Sequence, residues 1–286
     1  MSKIKIAELF YSIQGEGRYM GVPSVFLRTF GCNFTCDGFG RADRGRSTNP
    51  FERDIVAGDI KKFSKYEDLP LVSTGCDSYA SWDPRFKDLS PMLTTDAIAE
   101  RIMQILPYNK WKDEHLVITG GEPLLGWQRS YIDLLDHPDM RSLKEITFET
   151  NGTQKLTDEF KTWIHRYWHH NKGFNTFTFS VSAKLPCSGE AWEDAIRPEI
   201  VKEYDEYGYV YLKFVIATEE DCTDALKAIK EYRDAGFEGP VYLMPVGGVE
   251  SVYTLNNRRV AELAMKHGLR YSDILQVPLF KNEWGT

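Results

Sequence analysis

From Lys112 onward, short apolar runs alternate with stretches of helical period. His115–Thr119, Glu145–Glu149, Phe177–Val181, Val210–Ile216 and Val241–Met244 are rich in Val, Ile, Phe and Tyr. They read as strands buried on both faces of a parallel sheet. Ser24–Arg28 supplies a further strand near the N-terminus. Between the strands, Ile98, Ile102, Ile105 and Leu106 keep helical spacing until Pro107 ends the run. Thr218-Glu219-Glu220-Asp221 reads as a capping box that opens a helix over Cys222–Ala235, with Gly236 at its exit. Arg258–His267 predicts another helix, closed by Gly268. Repeated β–α units predict an α/β fold with a parallel sheet and right-handed crossovers. Six units suit an incomplete (β/α)6-type barrel better than an eight-fold one, with active groups gathered at the carboxyl ends of the strands.

The segment Asp37–Gly75 breaks this pattern, being rich in Gly, Arg, Asp and Lys with little periodicity. It reads as an insertion folded beside the rest, so that residues 1–286 form one domain. A structureless loop of this length is uncommon unless it has a function.

Composition narrows the classes. The chain has 286 residues, 42% of them hydrophobic, enough to bury a sizeable core. A net charge of −7 argues against a general affinity for nucleic acid backbone. Five cysteines are too few, and odd in number, for a disulfide scaffold. Free thiols imply a reducing compartment. Met1–Ile6 lacks the apolar run of a signal peptide, and no run approaches the roughly 18 apolar residues of a membrane span. The expectation is a cytoplasmic protein.

The candidate chemistry lies in three cysteines. Cys32 and Cys36 stand in Gly31-Cys32-Asn33-Phe34-Thr35-Cys36, and Cys76 in Gly75-Cys76-Asp77-Ser78. Such thiolates bind soft metals or iron–sulfur clusters. Three are one short of a closed tetrahedral site, and a four-iron cluster held by three leaves one iron free for a small molecule. A zinc site or buried structural thiols are the alternatives. Zinc, however, usually takes Cys-x2-Cys pairs or a Cys/His quartet, whereas the spacing here is Cys-x3-Cys with no histidine before His115. Cys222 reads as a core thiol and Cys187 as a loop thiol outside the ligand set. His169-His170 reads as a solvated helix end or loop. A second motif, Thr119-Gly120-Gly121-Glu122-Pro123, follows a strand directly. Its glycines let a ligand approach the backbone, and Glu122 is able to accept from an ammonium group. An ordinary β–α loop is the plainer reading.

Three cysteines after one strand and a Gly-Gly-Glu-Pro loop after the next resemble the radical S-adenosylmethionine (SAM) superfamily. There, three thiolates hold a 4Fe–4S cluster, and the amino and carboxylate groups of SAM chelate the fourth iron. The reduced cluster cleaves SAM to a 5′-deoxyadenosyl radical. The usual spacing is Cys-x3-Cys-x2-Cys, and this chain departs from it by placing Cys76 far downstream. A narrower resemblance accounts for the departure. Ile13-Gln14-Gly15-Glu16-Gly17, Val25–Arg28 with Gly31-Cys32, and Cys76-Asp77-Ser78-Tyr79-Ala80-Ser81-Trp82 resemble the 7-carboxy-7-deazaguanine synthase family once Asp37–Gly75 is excised. The likeness continues through Glu149–Thr153, Val181–Lys184, Leu212-Lys213 and Asn282–Thr286.

The resemblance implies conversion of 6-carboxy-5,6,7,8-tetrahydropterin to 7-carboxy-7-deazaguanine with loss of ammonia, on the route to queuosine and other 7-deazapurines. It implies a 4Fe–4S cluster on Cys32, Cys36 and Cys76, SAM as cofactor, and Mg²⁺ on Ser78. SAM contacts would come from Gly75, Asp77, Gly121, Glu122, Thr150, Ser182, Ala183 and Lys184, and from Met244, Pro245, Val246 and Gly247. Substrate contacts would come from Ile13, Gln14, Gly15, Glu16, Arg28, Thr119, Gln276 and Thr286. A glutamine and a glutamate can read the donor and acceptor edge of a pterin, and an arginine can fork onto a carboxylate. Gln276 falls where many relatives carry a histidine. The plainer readings are a glycine-rich turn for Gln14 and Glu16, a surface salt bridge for Arg28 and a cap for Ser78. The expected partners are the small pterin, an electron donor such as flavodoxin or ferredoxin, and a second copy in a homodimer, with no nucleic acid and no membrane.

Two other functions stay open. A radical SAM activase that makes a glycyl radical on a partner protein also has three cysteines and a similar loop. A metal-stabilised binding module without catalysis would hold zinc.

Overall fold

Polar residues recur at every second position inside the apolar runs, and this decides the architecture. The computed structural model describes residues 2–46, 49–170 and 176–286. Among these, nine strands form one sheet: β1 (Lys3–Ile13), β2 (Pro23–Thr29), β3 (Met92–Thr94), β4 (His115–Gly120), β5 (Glu145–Thr150), β6 (Thr176–Val181), β7 (Tyr209–Ile216), β8 (Val241–Pro245) and β9 (Arg270–Tyr271). The order is β3-β1-β2-β4-β5-β6-β7-β8-β9. β1 is antiparallel to β2 and β3, and the pairings from β2 through β9 are parallel. The two end strands do not pair, so the barrel stays open.

The six long parallel strands are those read from the sequence, each extended by a residue or two. The two faces of the sheet differ in chemistry. Val25, Leu27, Leu116, Ile118, Ile146, Phe148, Phe177, Phe179, Leu212 and Phe214 belong to one apolar core with the surrounding helices. The alternate positions carry Arg28, Thr119, Thr147, Glu149, Thr178, Ser180 and Lys213. Side chains alternate faces along a strand, so these polar groups fill the concave side. The sheet is therefore buried on both faces, as expected, but polar groups concentrate on the concave side, beside Phe26 and Val117.

The helices hold to their sequence signals. Thr218 accepts from the Asp221 amide at 3.1 Å and Asp221 accepts from the Thr218 amide at 3.0 Å, which closes the capping box of Glu219–Asp234. Gly236 and Gly268 take positive φ beyond their helices. The helix Glu250–Lys266 starts eight residues earlier than its apolar period indicates. Tertiary contacts carry that first half: Asn256 donates to the Val246 carbonyl at 3.0 Å, and Tyr253 hydrogen-bonds Asp273. The helix Asp158–His170 ends on His169-His170, whose side chains lie outside the described residues.

The insertion has order of its own. It contains a helix, Glu52–Gly58, and contributes Val56, Tyr66, Leu69 and Val72 to a second apolar cluster. Ala7, Tyr79, Ala80 and Phe86 complete that cluster, with Trp284 packed against it. Trp284 donates to the Leu69 carbonyl at 2.7 Å and meets the Tyr66 ring edge-on at 4.9 Å. Arg53 pairs with Asp37 and lies over the Trp82 ring at 4.9 Å. The insertion thus packs between the thiol loop and the C-terminal segment. Its residues 47 and 48 lie outside the described residues.

Candidate active site

The polar face of the sheet ends in a cavity of about 250 Å³ at the carboxyl ends of the strands. Cys32, Cys36 and Cys76 all line it. They reach it from different segments, the first two from the loop after β2 and the third from the end of the insertion. All five cysteines are free thiols. Burial pushes the Cys32 thiol up to about 12 and the Cys76 thiol up to about 11, and raises Cys36 well above the usual thiol range. Desolvated thiols beside one cavity make poor anions unless a cation takes the place of their protons. Among the described residues, no three His, Cys, Asp or Glu side chains converge on a point suited to one metal ion. A cubane binds each sulfur to a different iron, so its ligands stand further apart than those of a single ion. The indole Nε1 of Trp82 is buried on the same wall and favours the thiolate form of Cys76 through a side-chain hydrogen bond, against the larger effect of burial, a donor suited to a sulfur acceptor. The soft donor set on one cavity and this buried N–H beside it fit a 4Fe–4S cluster.

Beside the thiols, the loop after β4 brings bare backbone to the wall. A Cβ on Gly121 would lie 2.5 Å from the Gly31 carbonyl and 2.7 Å from Cys32 Cβ, so only glycine lets the two loops meet. Ser182 and Lys184, just past β6, line the next sector, with Lys184 Nζ 3.2 Å from Ser182 Oγ. Gly75, Asp77, Thr150 and Met244, Pro245, Val246 and Gly247 complete this side.

The other end of the cavity is charged. Glu8 and Arg28 are directly opposed on β1 and β2. Arg28 Nε donates to Glu8 Oε2 at 2.7 Å, and Nη1 donates to Ser78 Oγ at 3.0 Å. Glu8 is buried, and desolvation raises its pKa despite the arginine. Nη2 of Arg28 has no protein partner among the described residues. The pair is thus no surface salt bridge, since Glu8 is buried and Arg28 lines the cavity. Lys213 lies 2.5 Å from Glu16 and 3.8 Å from Glu149, and Gln14 Nε2 donates to Glu149 at 3.1 Å. Burial works against ionisation of Glu149, but Lys213 and the Gln14 amide outweigh it and lower its pKa. Burial raises Glu16 in spite of the same lysine. Phe10 and Phe26 stack at 4.9 Å and form an apolar wall beside these charges. Thr119, Gln276 and Thr286 also line this end.

Four residues expected at the site stand off the wall. Glu122 is fully buried, and its carboxylate accepts from the Leu124 amide at 3.0 Å, Thr150 Oγ1 at 2.8 Å and the Asn151 amide at 2.6 Å. Burial nevertheless pushes its pKa up to about 7. Ala183 packs into the helix-side core. Ile13 and Gly15 present backbone to Gln276 and Leu275 instead. Gln276 Nε2 donates to the Ile13 carbonyl at 2.7 Å, and a Cβ on Gly15 would collide with the Gln276 amide. Glu149, Lys213 and Asn282 line the cavity, and Glu8 holds Arg28, although no sequence motif marks them as site residues. The first two carry a usable signal, because each is a charged residue inside a short apolar strand.

Cys222 is a core thiol on its helix. Cys187 donates to the Val215 carbonyl at 3.5 Å and does not line the cavity. Cys187→Ala should therefore leave the iron and sulfide content of the reconstituted protein at the unmutated level, as measured colorimetrically; loss of iron would make Cys187 a ligand.

The open α/β barrel also occurs in the crystal structure of QueE from Escherichia coli. That match has a TM-score of 0.52 and 19% sequence identity, and covers 95% of this chain and 93% of that one. With three thiols at the mouth of this fold, relatives in sequence show a radical SAM enzyme. The 7-carboxy-7-deazaguanine synthase of Halobacterium salinarum is 32% identical over 301 residues, covering 98% of this chain and 91% of the relative. The proteins of that name from Pyrobaculum aerophilum and Rhodopirellula baltica are 24% and 26% identical, each over 90% or more of both chains. No protein-family model matches the chain. The chain belongs to the 7-carboxy-7-deazaguanine synthase family.

Proposed function

We propose that this chain converts 6-carboxy-5,6,7,8-tetrahydropterin to 7-carboxy-7-deazaguanine with loss of ammonia, in 7-deazapurine and queuosine biosynthesis. The observation that carries the reading is the joining of a three-thiol mouth to a buried, charged pocket in one cavity. Neither a glycyl-radical activase nor a zinc-stabilised binding module accounts for a likeness that runs the length of the chain.

Cys32, Cys36 and Cys76 would hold the cluster. When bound, the cluster supplies the electron that turns SAM into the hydrogen-abstracting radical. Gly121, Ser182 and Lys184 would orient SAM through backbone and polar side-chain contacts, and Met244–Gly247 would border its adenosine. At the charged end, the remaining donor capacity of Arg28 suits a substrate carboxylate. Gln14, Glu16 and Glu149 offer both donors and acceptors to the pterin ring, and Phe10 and Phe26 offer it a flat apolar wall. Lys213 favours the ionised form of both glutamates and, with Gln14, outweighs burial at Glu149, so that an ionised acceptor persists there. Thr119, Gln276 and Thr286 would close the pocket. Ser78 Oγ, with Asp77 beside it, supplies hard oxygens for Mg²⁺, which keeps several waters and also takes substrate oxygens. From the family we also take flavodoxin or ferredoxin as the electron source, a homodimer as the assembly and the cytoplasm as the compartment. The five free thiols suit a reducing environment. Among the described residues, no helix is long and apolar enough to cross a membrane.

The test is incubation of cluster-loaded, dithionite-reduced protein with SAM, Mg²⁺ and the carboxypterin. The deazaguanine product is expected by mass spectrometry. SAM cleavage without that product would favour an activase.

A further inference from the structure

The loop that carries the first two cysteines is gripped from a distant segment. Cys36 has φ +52°, a left-handed conformation that few non-glycine residues adopt. It is held there by Glu190. One carboxylate oxygen of Glu190 accepts from the Cys36 amide at 2.7 Å, the Thr35 amide at 2.9 Å and Thr35 Oγ1 at 3.4 Å. Glu190 follows the turn Pro186–Ser188 past the end of β6. The two loops meet backbone to backbone. Gly38 donates to the Ser188 carbonyl at 2.8 Å, and a Cβ on Gly38 would lie 2.6 Å from the Gly189 nitrogen.

We propose that Glu190 is a positioning residue for the iron–sulfur cluster. It fixes Cys36 in the left-handed conformation that faces the cavity, and it holds the cluster's reduction potential down. The inference rests on Cys36 being a cluster ligand. Two effects act in the same direction. A carboxylate beside the thiol loop disfavours the extra electron of the reduced cluster. It also engages two amide N–H groups that would otherwise be available to sulfur, and N–H···S bonds raise cluster potentials.

The test compares Glu190→Ala, Glu190→Gln and Cys36→Ala after anaerobic reconstitution. Glu190→Ala should lose most of its iron and acid-labile sulfide. Glu190→Gln keeps the acceptor oxygen without the charge, so it should retain the cluster with a midpoint potential shifted to more positive values in an EPR-monitored titration. If Glu190→Ala fails to fold, the potential of Glu190→Gln decides alone. Full cluster content and an unshifted potential in the Glu190 variants, with the cluster lost in Cys36→Ala, would overturn the proposal. A full cluster in Cys36→Ala would instead overturn the ligand assignment.

Discussion

Cys76→Ala should abolish cluster retention and SAM cleavage together, although Cys76 lies 40 residues beyond Cys36 in the chain. The expectation follows from the cavity. Three desolvated thiols share one wall, and each would bind a separate iron. Removing one leaves a cubane with two protein ligands and two open irons, which invites its loss. The scaffold should survive, because Cys76 belongs to the edge of a small cluster rather than to the main core. Circular dichroism is therefore expected to change little while iron, sulfide and 5′-deoxyadenosine production fall to background. A variant that keeps its full cluster would remove Cys76 from the ligand set.

Arg28→Ala should act twice. It strands Glu8, whose side chain is 4% exposed, with no cation beside it. Breaking a buried pair in this way costs roughly 3 kcal/mol of stability. It also removes a guanidinium that lines the cavity. Loss of a charge-assisted hydrogen bond is worth about 1.5–3 kcal/mol, so KM for the carboxypterin should rise roughly tenfold or more. The two effects separate in the double variant Glu8→Ala/Arg28→Ala. Removing both charges should restore much of the thermal stability while the raised KM persists. An unchanged KM in either variant would take Arg28 out of the substrate pocket.

The sequence made the parallel strands and the thiol set readable for simple reasons. Strands buried under helices need apolar runs, and soft-metal ligands need cysteines. Two things escaped. β1 was not read as a strand, because its register shifts between Ile6 and Glu8. A bulge of this kind breaks the period of two on which strand recognition depends. The insertion was unreadable because its order is long-range. Its apolar residues are completed by Ala7, Tyr79, Ala80, Phe86 and Trp284, all outside it. At the site, Gln14, Glu16 and Arg28 came from motifs, whereas Glu149 and Lys213 needed the alternation rule. A charge at the inward position of an apolar strand must be paired or solvated, and here the two lie 3.8 Å apart. Glu190 carried no local signal, since its partners, Thr35 and Cys36, are distant in sequence and offer only backbone amides and a hydroxyl.

The proposed chemistry depends most directly on whether the three cavity sulfurs share one cubane with a vacant corner. EPR of the anaerobically reconstituted, reduced protein, with and without SAM, reads this out. A 4Fe–4S signal that changes on adding SAM, in protein with iron and sulfide in the matching ratio, is the predicted result. Bound zinc, or a cluster signal indifferent to SAM, would contradict it.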